Sequence, residues 1–447
     1  MLAAVGAASV DELFADIPRA VRLERPLCLP PGASESEVYA ELAALAARNT
    51  PASALVSFLG AGVYDHYVPA VVDAVVSRSE FATAYTPYQP ERSQGVLQSI
   101  FEFQTAICQL TGLDVSNASL YDGGTALTEA AFLASAYTGR PKIVVSRGVH
   151  PEYRQVLATE TAGRAPAGGG PVPLEVACDG DGTDMAALGA VVDDATAAVA
   201  VQQPHFFGGL EDMAAAARIA REAGALFVAI VDPLSLGLLQ PPGEYGADIA
   251  VGEGQALGNR MSFGGPHLGF MAARQQLVRR MPGRIVGETV DADGRRGYVL
   301  TFQTREQHIR REKATSNICS NQALNALAAV VYLCWLGKQG LPELAEVCAR
   351  KADYLRARLL ELPGLEPYTR GPVFREFAVR LPLPAKELVE RLLPQGDLAG
   401  VDVGRFSPGL ADVLLVAVTE KRTRAEMDAF VRAVRGVLTA GEGARHG

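Results

Sequence analysis

Lysine is scarce in this chain and is missing from its middle. Six of the 41 basic residues are lysines, and none lies between Lys142 and Lys313. A Schiff base to an aldehyde needs a primary amine that can lose its proton, and arginine or a carboxamide cannot supply one. The absence therefore excludes covalent aldehyde chemistry from the side chains of that stretch.

Paired cysteines and long apolar runs are lacking as well. The six cysteines are scattered, with no C-x-x-C pair and no histidine at metal-ligand spacing, so we expect reduced thiols and no metal site. No apolar run approaches the roughly eighteen residues of a membrane span. The start of the chain lacks the basic segment of a signal peptide. We therefore expect a cytoplasmic protein.

The charge balance also excludes some partners. The net charge of −9 and the pI near 5.4 argue against a surface for nucleic acid or for an anionic membrane, because such surfaces need clustered basic residues.

From about Leu97 onward, helical and strand patterns alternate. Helices are predicted at Val96–Leu110, Gly124–Tyr137 and Leu210–Ala223, and strands at Lys142–Ser146, Ala197–Gln202, Leu226–Asp232 and Asp248–Val251. Strands separated by helical segments imply crossover connections, so we expect an α/β fold with a mostly parallel sheet. The Gly- and Pro-rich segment Gly163–Pro173 is predicted to be a surface loop.

Three parts are predicted along the chain. Residues 1–95 form an N-terminal arm and interface segment, in which Ser34 and Glu37 have the spacing of a capping box. Residues 96–340 form the large α/β domain. Residues 341–447 form a small α+β domain, with predicted elements at Leu344–Leu360, Phe374–Leu381, Lys386–Leu393, Val413–Val418 and Arg424–Leu438.

A glycine pair before a predicted helix could bind an anion. Asp122, Gly123 and Gly124 stand just ahead of Leu127–Tyr137. Glycines let the backbone approach a ligand closely, and a helix start offers free N–H groups, so a phosphate fits there. An ordinary turn with Thr125 as the helix cap would give the same sequence.

Three further residues lie where predicted strands end. Asp232 follows Leu226–Val231, where a carboxylate could hold a protonated pyridine nitrogen or simply cap the next turn. His150 could stack on an aromatic cofactor or be an ordinary surface or core histidine. Gln255 follows the next strand, and this order of residues resembles one large class of pyridoxal-phosphate (PLP) enzymes, in which a Schiff-base lysine stands at that position.

Two polar segments stand out elsewhere. Tyr85–Gly95 has two prolines and two tyrosines, which is typical of a rigid loop at the wall of a binding site or of a brace between subunits. Gln303–Ile318 is densely polar, and its Thr315, Ser316 and Asn317 shortly precede an apolar helix at Ala323–Leu336. Their hydroxyls and that helix start could suit a phosphate.

Several long segments together resemble the glycine dehydrogenase (decarboxylating) family, the P-protein of the glycine cleavage system. The resemblance covers nearly the whole chain and is carried by Ser57–Gly62 with Tyr64-Asp65-His66, Tyr85–Gly95, Leu113–Ser119, Gly264-Gly265-Pro266-His267, Met281-Pro282-Gly283-Arg284 and Gln303–Cys319. The length and Gln255 are similar to the first half of the P-protein, which many bacteria make as a separate subunit 1.

This resemblance implies a PLP-dependent transferase (type I) fold and an α2β2 heterotetramer. The second subunit would carry the lysine and the PLP. The complex would decarboxylate glycine and pass the aminomethyl group to the lipoyl arm of the H-protein. An obligate partner of this kind would bury on the order of 2,000 Å² or more.

The resemblance also implies roles for individual residues. No residue would be catalytic in this chain alone. Those expected to contribute to the partner's active site are Tyr85, Tyr88, Gln89, Ser93, Thr315, Ser316 and Asn317. Those expected to form a vestigial, empty cofactor site are Asp122, Gly123, Gly124, His150, Asp232 and Gln255. The alternatives are a purely structural or regulatory subunit, a self-sufficient enzyme that binds PLP noncovalently, and a dehydrogenase that binds NAD.

Overall fold

Apolar strands alternate with helices along most of the chain. This computed structural model describes residues 1–163, 170–314 and 316–443. Its helices are α1 (Leu2–Val5), α2 (Glu35–Ala46), α3 (Ala70–Val76), α4 (Ser79–Ala82), α5 (Gln94–Thr111), α6 (Gly123–Thr138), α7 (Pro151–Ala162), α8 (Met185–Val191), α9 (Met213–Glu222), α10 (Gln307–Arg310), α11 (Ala323–Leu360), α12 (Ala385–Leu392) and α13 (Arg424–Gly443).

The described strands are two to eight residues long. They are β1 (Val56–Ser57), β2 (Val115–Ser116), β3 (Lys142–Ser146), β4 (Val172–Val176), β5 (Cys178–Asp179), β6 (Gly182–Thr183), β7 (Thr196–Gln203), β8 (Leu226–Val231), β9 (Ile249–Glu253), β10 (Gly269–Ala273), β11 (Ile285–Val290), β12 (Arg296–Thr301), β13 (Glu366–Pro367), β14 (Glu376–Arg380), β15 (Asp397–Leu398), β16 (Val401–Asp402) and β17 (Val413–Ala417).

A seven-stranded sheet forms the centre of the described residues, in the order β2-β10-β9-β8-β7-β3-β4. The strands from β9 to β4 run parallel, and β10 runs antiparallel to both β9 and β2. Side chains of β8 alternate between two core clusters, with Phe227 in one and Val228 in the other. Both faces of the sheet are therefore covered, as the continuous apolar run implied, and the predicted α/β class with a mostly parallel sheet is confirmed.

The C-terminal strands form a second, smaller sheet. It has the order β13-β14-β17-β16 and is antiparallel throughout. Its core packs on α12, α13 and the second half of α11. Phe58, which directly follows β1, stacks on Phe430 of α13 with ring centroids 4.2 Å apart.

Helix α11 is interrupted at one residue. Gly337 has φ 63° and ψ −174°, which is not helical. A positive φ is easily reached only without a Cβ, so glycine is favoured at this break.

The chain divides into two units, Met1–Ala54 and Leu55–Gly447. In the first unit, α2 begins with the predicted capping box: Ser34 Oγ accepts from the Glu37 N–H, and a Glu37 carboxylate oxygen accepts from the Ser34 N–H. Large apolar side chains of this unit, such as Phe14, Leu29 and Tyr39, are exposed. Within the described residues, no helix has the length and apolar character needed to cross a membrane.

Candidate functional site

The carboxyl ends of the parallel strands meet at one edge of the large sheet, where ligands of such folds bind. Asp232 follows β8, Glu253 ends β9, and His150 precedes α7. Together with Tyr64 and Arg375 they line a cavity of about 50 Å³. Of the predicted vestigial set, His150 and Asp232 therefore face one cavity, and we call it the strand-end pocket.

Asp232 forms an ion pair with Arg375, which directly precedes β14 of the small sheet. Arg375 Nη2 lies 2.5 Å from Asp232 Oδ2, and the side chains are 3% and 13% exposed. The same guanidinium lies 3.4 Å from the centre of the Tyr64 ring and contacts His66 Nε2. The carboxylate that could hold a ring nitrogen is thus engaged by a buried internal cation.

A second carboxylate occupies the start of α6. Glu253 Oε2 accepts from the Gly123 N–H at 3.1 Å, while its Oε1 accepts from the N–H groups of Gln255 and Leu268 at 2.9 Å each. Burial raises the pKa of Glu253 to about 7, against the lowering effect of these three donors. Asp122 caps the same helix by accepting from the Thr125 N–H at 2.7 Å. The N–H groups of Gly123 and Thr125, which could bind a phosphate, are therefore already used by protein carboxylates.

Tyr153 lies over the glycine pair. A Cβ built on Gly123 would come within 2.5 Å of the Tyr153 hydroxyl, and one on Gly124 within 3.3 Å of its ring. The close approach of the tyrosine side chain favours glycine at position 123, whereas a Cβ at position 124 would need only a small shift of the ring. Burial, followed by the charge of Glu253, raises the pKa of Tyr153 well above its ordinary value, so the hydroxyl stays neutral.

His150 stacks on that tyrosine. The two ring centroids are 4.7 Å apart with an interplanar angle of 29°. His150 Nδ1 accepts from the Glu152 N–H at 3.1 Å, so its Nε2–H donates to the Ala61 carbonyl at 2.8 Å. Burial lowers the pKa of His150, which keeps the ring neutral.

Gln255 is buried and fully engaged. Its Oε1 accepts from the Tyr64 N–H at 2.9 Å, and its Nε2 donates to the carbonyls of Tyr64 (3.2 Å) and Asn259 (2.8 Å). The side chain is 1% exposed. It fastens the Tyr64 backbone to the end of β9 and does not point into the strand-end pocket.

Glu376 completes the pocket. Its Oε1 accepts from the Ala61 N–H at 2.7 Å and its Oε2 from the Tyr64 hydroxyl at 2.8 Å. Burial raises the pKa of Glu376 to about 7, although these donors and Arg375 lower it. Tyr64 therefore joins the end of β9, through Gln255, to the start of β14.

A hydrogen-bonded pair lies behind Arg375. His66 Nε2 accepts from Arg375, so the Nδ1–H of His66 donates to Glu420 Oε2 at 2.6 Å. Burial alone would raise the pKa of Glu420, but the hydrogen bonds that it accepts from His66 and from the Tyr67 N–H lower it to about 2. With Cys348 these residues place three potential metal ligands within 4.8 Å of one another. The neighbouring guanidinium disfavours a cation there.

The residues predicted to contribute to a partner's site lie apart from the strand-end pocket. Tyr85 and Tyr88 are 79% and 62% exposed. Ser93 is the N-cap residue of α5, and its hydroxyl makes no capping hydrogen bond. Gln89 and Asn317 are exposed, and Ser316 Oγ accepts from the Ile318 N–H at 3.0 Å. Thr315 lies outside the described residues.

Arg284 links the two predicted segments. Its guanidinium lies 5.8 Å from the centre of the Tyr88 ring, and its Nη atoms donate to the Cys319 carbonyl at 2.8 Å and to Asn321 Oδ1 at 3.3 Å. The structure thus brings the loop around Tyr88 close to the segment that follows Asn317.

Sequence reasoning missed the groups that fill the strand-end pocket. They are Tyr64, Tyr153, Glu253, Arg375 and Glu376. A signal existed for three of them: Glu253 stands at the end of an apolar strand, and Arg375 and Glu376 interrupt the apolar context of β14. Charges at such positions favour burial with partners.

The similarity to known proteins extends over nearly the whole chain. The family model described as "Glycine cleavage system P-protein" matches residues 1–434. A probable glycine dehydrogenase (decarboxylating) subunit 1 of Carboxydothermus hydrogenoformans is 57% identical over 436 residues, covering 98% of this chain and 97% of that protein. The protein of the same name in Moorella thermoacetica is 56% identical and covers 98% and 97%.

Solved structures give the same result. A glycine decarboxylase (P-protein) of the glycine cleavage system, in inhibitor-bound form, matches with a TM-score of 0.89 and 48% identity, covering 98% of this chain and 97% of that one. A glutamate decarboxylase of Lactobacillus brevis matches with a TM-score of 0.68 at 14% identity, over 94% and 96%, which shows the fold alone. The fold is the type I fold of PLP-dependent enzymes, and the predicted fold class is confirmed.

Proposed function

Because this chain belongs to the glycine cleavage system P-protein family, we propose that it is the non-anchoring subunit of a two-subunit glycine decarboxylase. A second subunit supplies the Schiff-base lysine and holds PLP, and this chain completes that subunit's active site. The two chains assemble as an α2β2 heterotetramer. The complex decarboxylates glycine and passes the aminomethyl group to the lipoyl arm of the H-protein.

One observation carries this proposal: Gln255 stands at the strand-end position of the anchoring lysine. Its amide forms hydrogen bonds with the Tyr64 backbone and the Asn259 carbonyl. A carboxamide has no amine to condense with an aldehyde. The strand ends of this chain therefore offer no amine that could bind PLP covalently. In our proposal, a lysine of the second subunit forms that bond.

The exposed loop around Tyr88 supports a direct contribution to that neighbouring site. Tyr85 and Tyr88 expose large amphipathic side chains, which suit contact with a ligand or with a neighbouring subunit. Arg284 holds Tyr88 beside the segment that carries Ser316 and Asn317. One surface thus presents hydroxyl, amide and aromatic groups together.

Bound PLP supplies an electron sink for the carbon that loses CO2. In our proposal, Tyr85, Tyr88, Gln89 and Ser93 line the entrance for glycine or the lipoyl arm and orient it by hydrogen bonds. Ser316 and Asn317, with Thr315 on the strength of its sequence position, donate hydrogen bonds to the phosphate group. Positioning of this kind lowers the entropic part of a reaction barrier.

The test combines this chain with a lysine-bearing second subunit. Exchange of labelled bicarbonate into glycine is measured for each chain alone and for the mixture, and only the mixture is expected to be active. Tyr88→Phe and Ser93→Ala should lower kcat or raise KM in the assembled complex. Tyr137→Phe is the matched control, because this exposed tyrosine lies near the far end of α6.

Two results would contradict the proposal. Activity of this chain alone would remove the need for a partner's lysine. Variants that change the yield of the complex but leave kcat and KM as in the unmodified protein would instead favour a purely structural or regulatory subunit.

A further inference from the structure

We propose that the strand-end pocket is filled by the chain's own side chains in place of each part of PLP, so that restoring a lysine at position 255 would not restore cofactor binding. The strand-end pocket lies in this chain's own half of the proposed complex, and the residues that fill it differ from those proposed to contribute to a partner's site.

The phosphate position is taken by a carboxylate. A phosphate would bind at the start of α6 through the backbone N–H groups there. Glu253 already accepts from the Gly123 N–H, and Asp122 already accepts from the Thr125 N–H. A phosphate brought to this helix start would have to displace Glu253 from the Gly123 N–H and would lie beside two carboxyl groups.

The ring position is taken by a tyrosine. Tyr153 covers Gly123 and Gly124 so closely that even a methyl group on Gly123 would clash with it. His150, the residue that could have stacked on a cofactor ring, stacks on the ring of Tyr153 instead, with centroids 4.7 Å apart. The aromatic partner of His150 is therefore part of the protein.

The ring-nitrogen position is taken by a guanidinium. Arg375 is buried and pairs with Asp232 at 2.5 Å, the contact that a protonated pyridine nitrogen would make. Its charge is held in place by the face of the Tyr64 ring. Removing this arginine from Asp232 would leave a buried cation without its carboxylate, which is costly.

The remaining space fits water and not a cofactor. The cavity holds about 50 Å³, whereas pockets for ligands of this class occupy roughly 300–1,000 Å³. Arg375 Nε faces no hydrogen-bond acceptor among the described residues. A water molecule satisfies such a donor, and the volume is ample for one.

Pyridoxamine 5′-phosphate tests this proposal without requiring a lysine, because it binds noncovalently. A fluorescence titration of the isolated full-length chain should show a dissociation constant weaker than about 1 mM. The double variant Tyr153→Ala/Glu253→Ala opens the ring and phosphate positions and should bind tighter by about tenfold or more. Saturable micromolar binding to the unmodified chain would overturn the proposal, as would an opened variant that folds and gains no affinity.

The covalent test uses Gln255→Lys, with Gln255→Met as a control that has no amine. Each folded variant is mixed with PLP and reduced with borohydride, and modified peptides are identified by mass. Position 255 should stay unmodified in Gln255→Lys and become modified when Tyr153→Ala and Glu253→Ala are added. Labelling of position 255 in the single variant would refute the proposal. If the variants do not fold, the titration of the unmodified chain decides alone.

Discussion

Replacing Glu376 by glutamine should remove a pH dependence of stability that this carboxyl imposes. Burial raises the pKa of Glu376 to about 7, whereas in the unfolded chain it returns to its ordinary value near 4.3. Between these values the folded state binds more protons than the unfolded state. The group therefore contributes stability that is fully present below the unfolded pKa and is lost as the pH rises through about 7.

The size of the effect follows from the two pKa values. Between about pH 5 and about pH 8 the wild-type protein should lose about 2.5 kcal/mol of unfolding free energy through this one group. Glutamine keeps an oxygen that can accept from the Ala61 N–H or the Tyr64 hydroxyl but does not titrate. The unfolding free energy of Glu376→Gln minus that of wild type should therefore rise by about 2.5 kcal/mol over that range.

Urea unfolding of both proteins at the two pH values measures this difference directly. The exposed Glu288 of β11 offers a control, since Glu288→Gln should leave the difference from wild type unchanged within about 0.5 kcal/mol. A difference for Glu376→Gln that stays constant across the range would show that the buried carboxyl is ionised throughout, and the reasoning would fail.

Three further substitutions, the first with a matched control, should each lower stability for a different reason. Asp232→Asn removes the charged partner of buried Arg375 and should lower the unfolding free energy in urea by about 3–5 kcal/mol. Its control, Asp412→Asn, breaks the half-exposed pair with Arg380 and should lower it by less than about 1 kcal/mol. Equal losses would contradict a buried Arg375–Asp232 pair. Phe103→Ala empties a fully buried position and should lower stability by about 3–5 kcal/mol, seen as a lower Tm. Ser34→Ala removes the cap of α2 and should speed hydrogen exchange there, at a cost of about 1 kcal/mol.

The large sheet could be predicted where strands are buried on both faces. Such strands are continuous apolar runs, so β3 and β8 were located from sequence to within a residue. Strand β10 was missed because glycine and alanine in Gly269–Ala273 have weak strand preference. The predicted loop Gly163–Pro173 overlaps β4, an edge strand beginning at Val172 in which a proline is tolerated; residues 164–169 lie outside the described part.

The location of the candidate site could be predicted from the sequence, but most of the side chains that fill it could not. Topology alone requires Asp232 and Gln255 to lie at one edge of the sheet. Arg375 and Tyr64 reach that edge from segments far away in the chain, and nothing local in the sequence specifies those contacts. The roles predicted for Ser93 and Asn317 remain predictions.

The exposed apolar side chains of the first 54 residues, Phe14, Leu29 and Tyr39 among them, bear on how this protein must be made. Soluble monomers seldom leave so many large apolar side chains exposed to water. In our proposal a second subunit accompanies this chain, and copies of this chain made in excess of that subunit would be prone to aggregate. Placing both reading frames on one transcript should therefore raise the yield of dispersed protein.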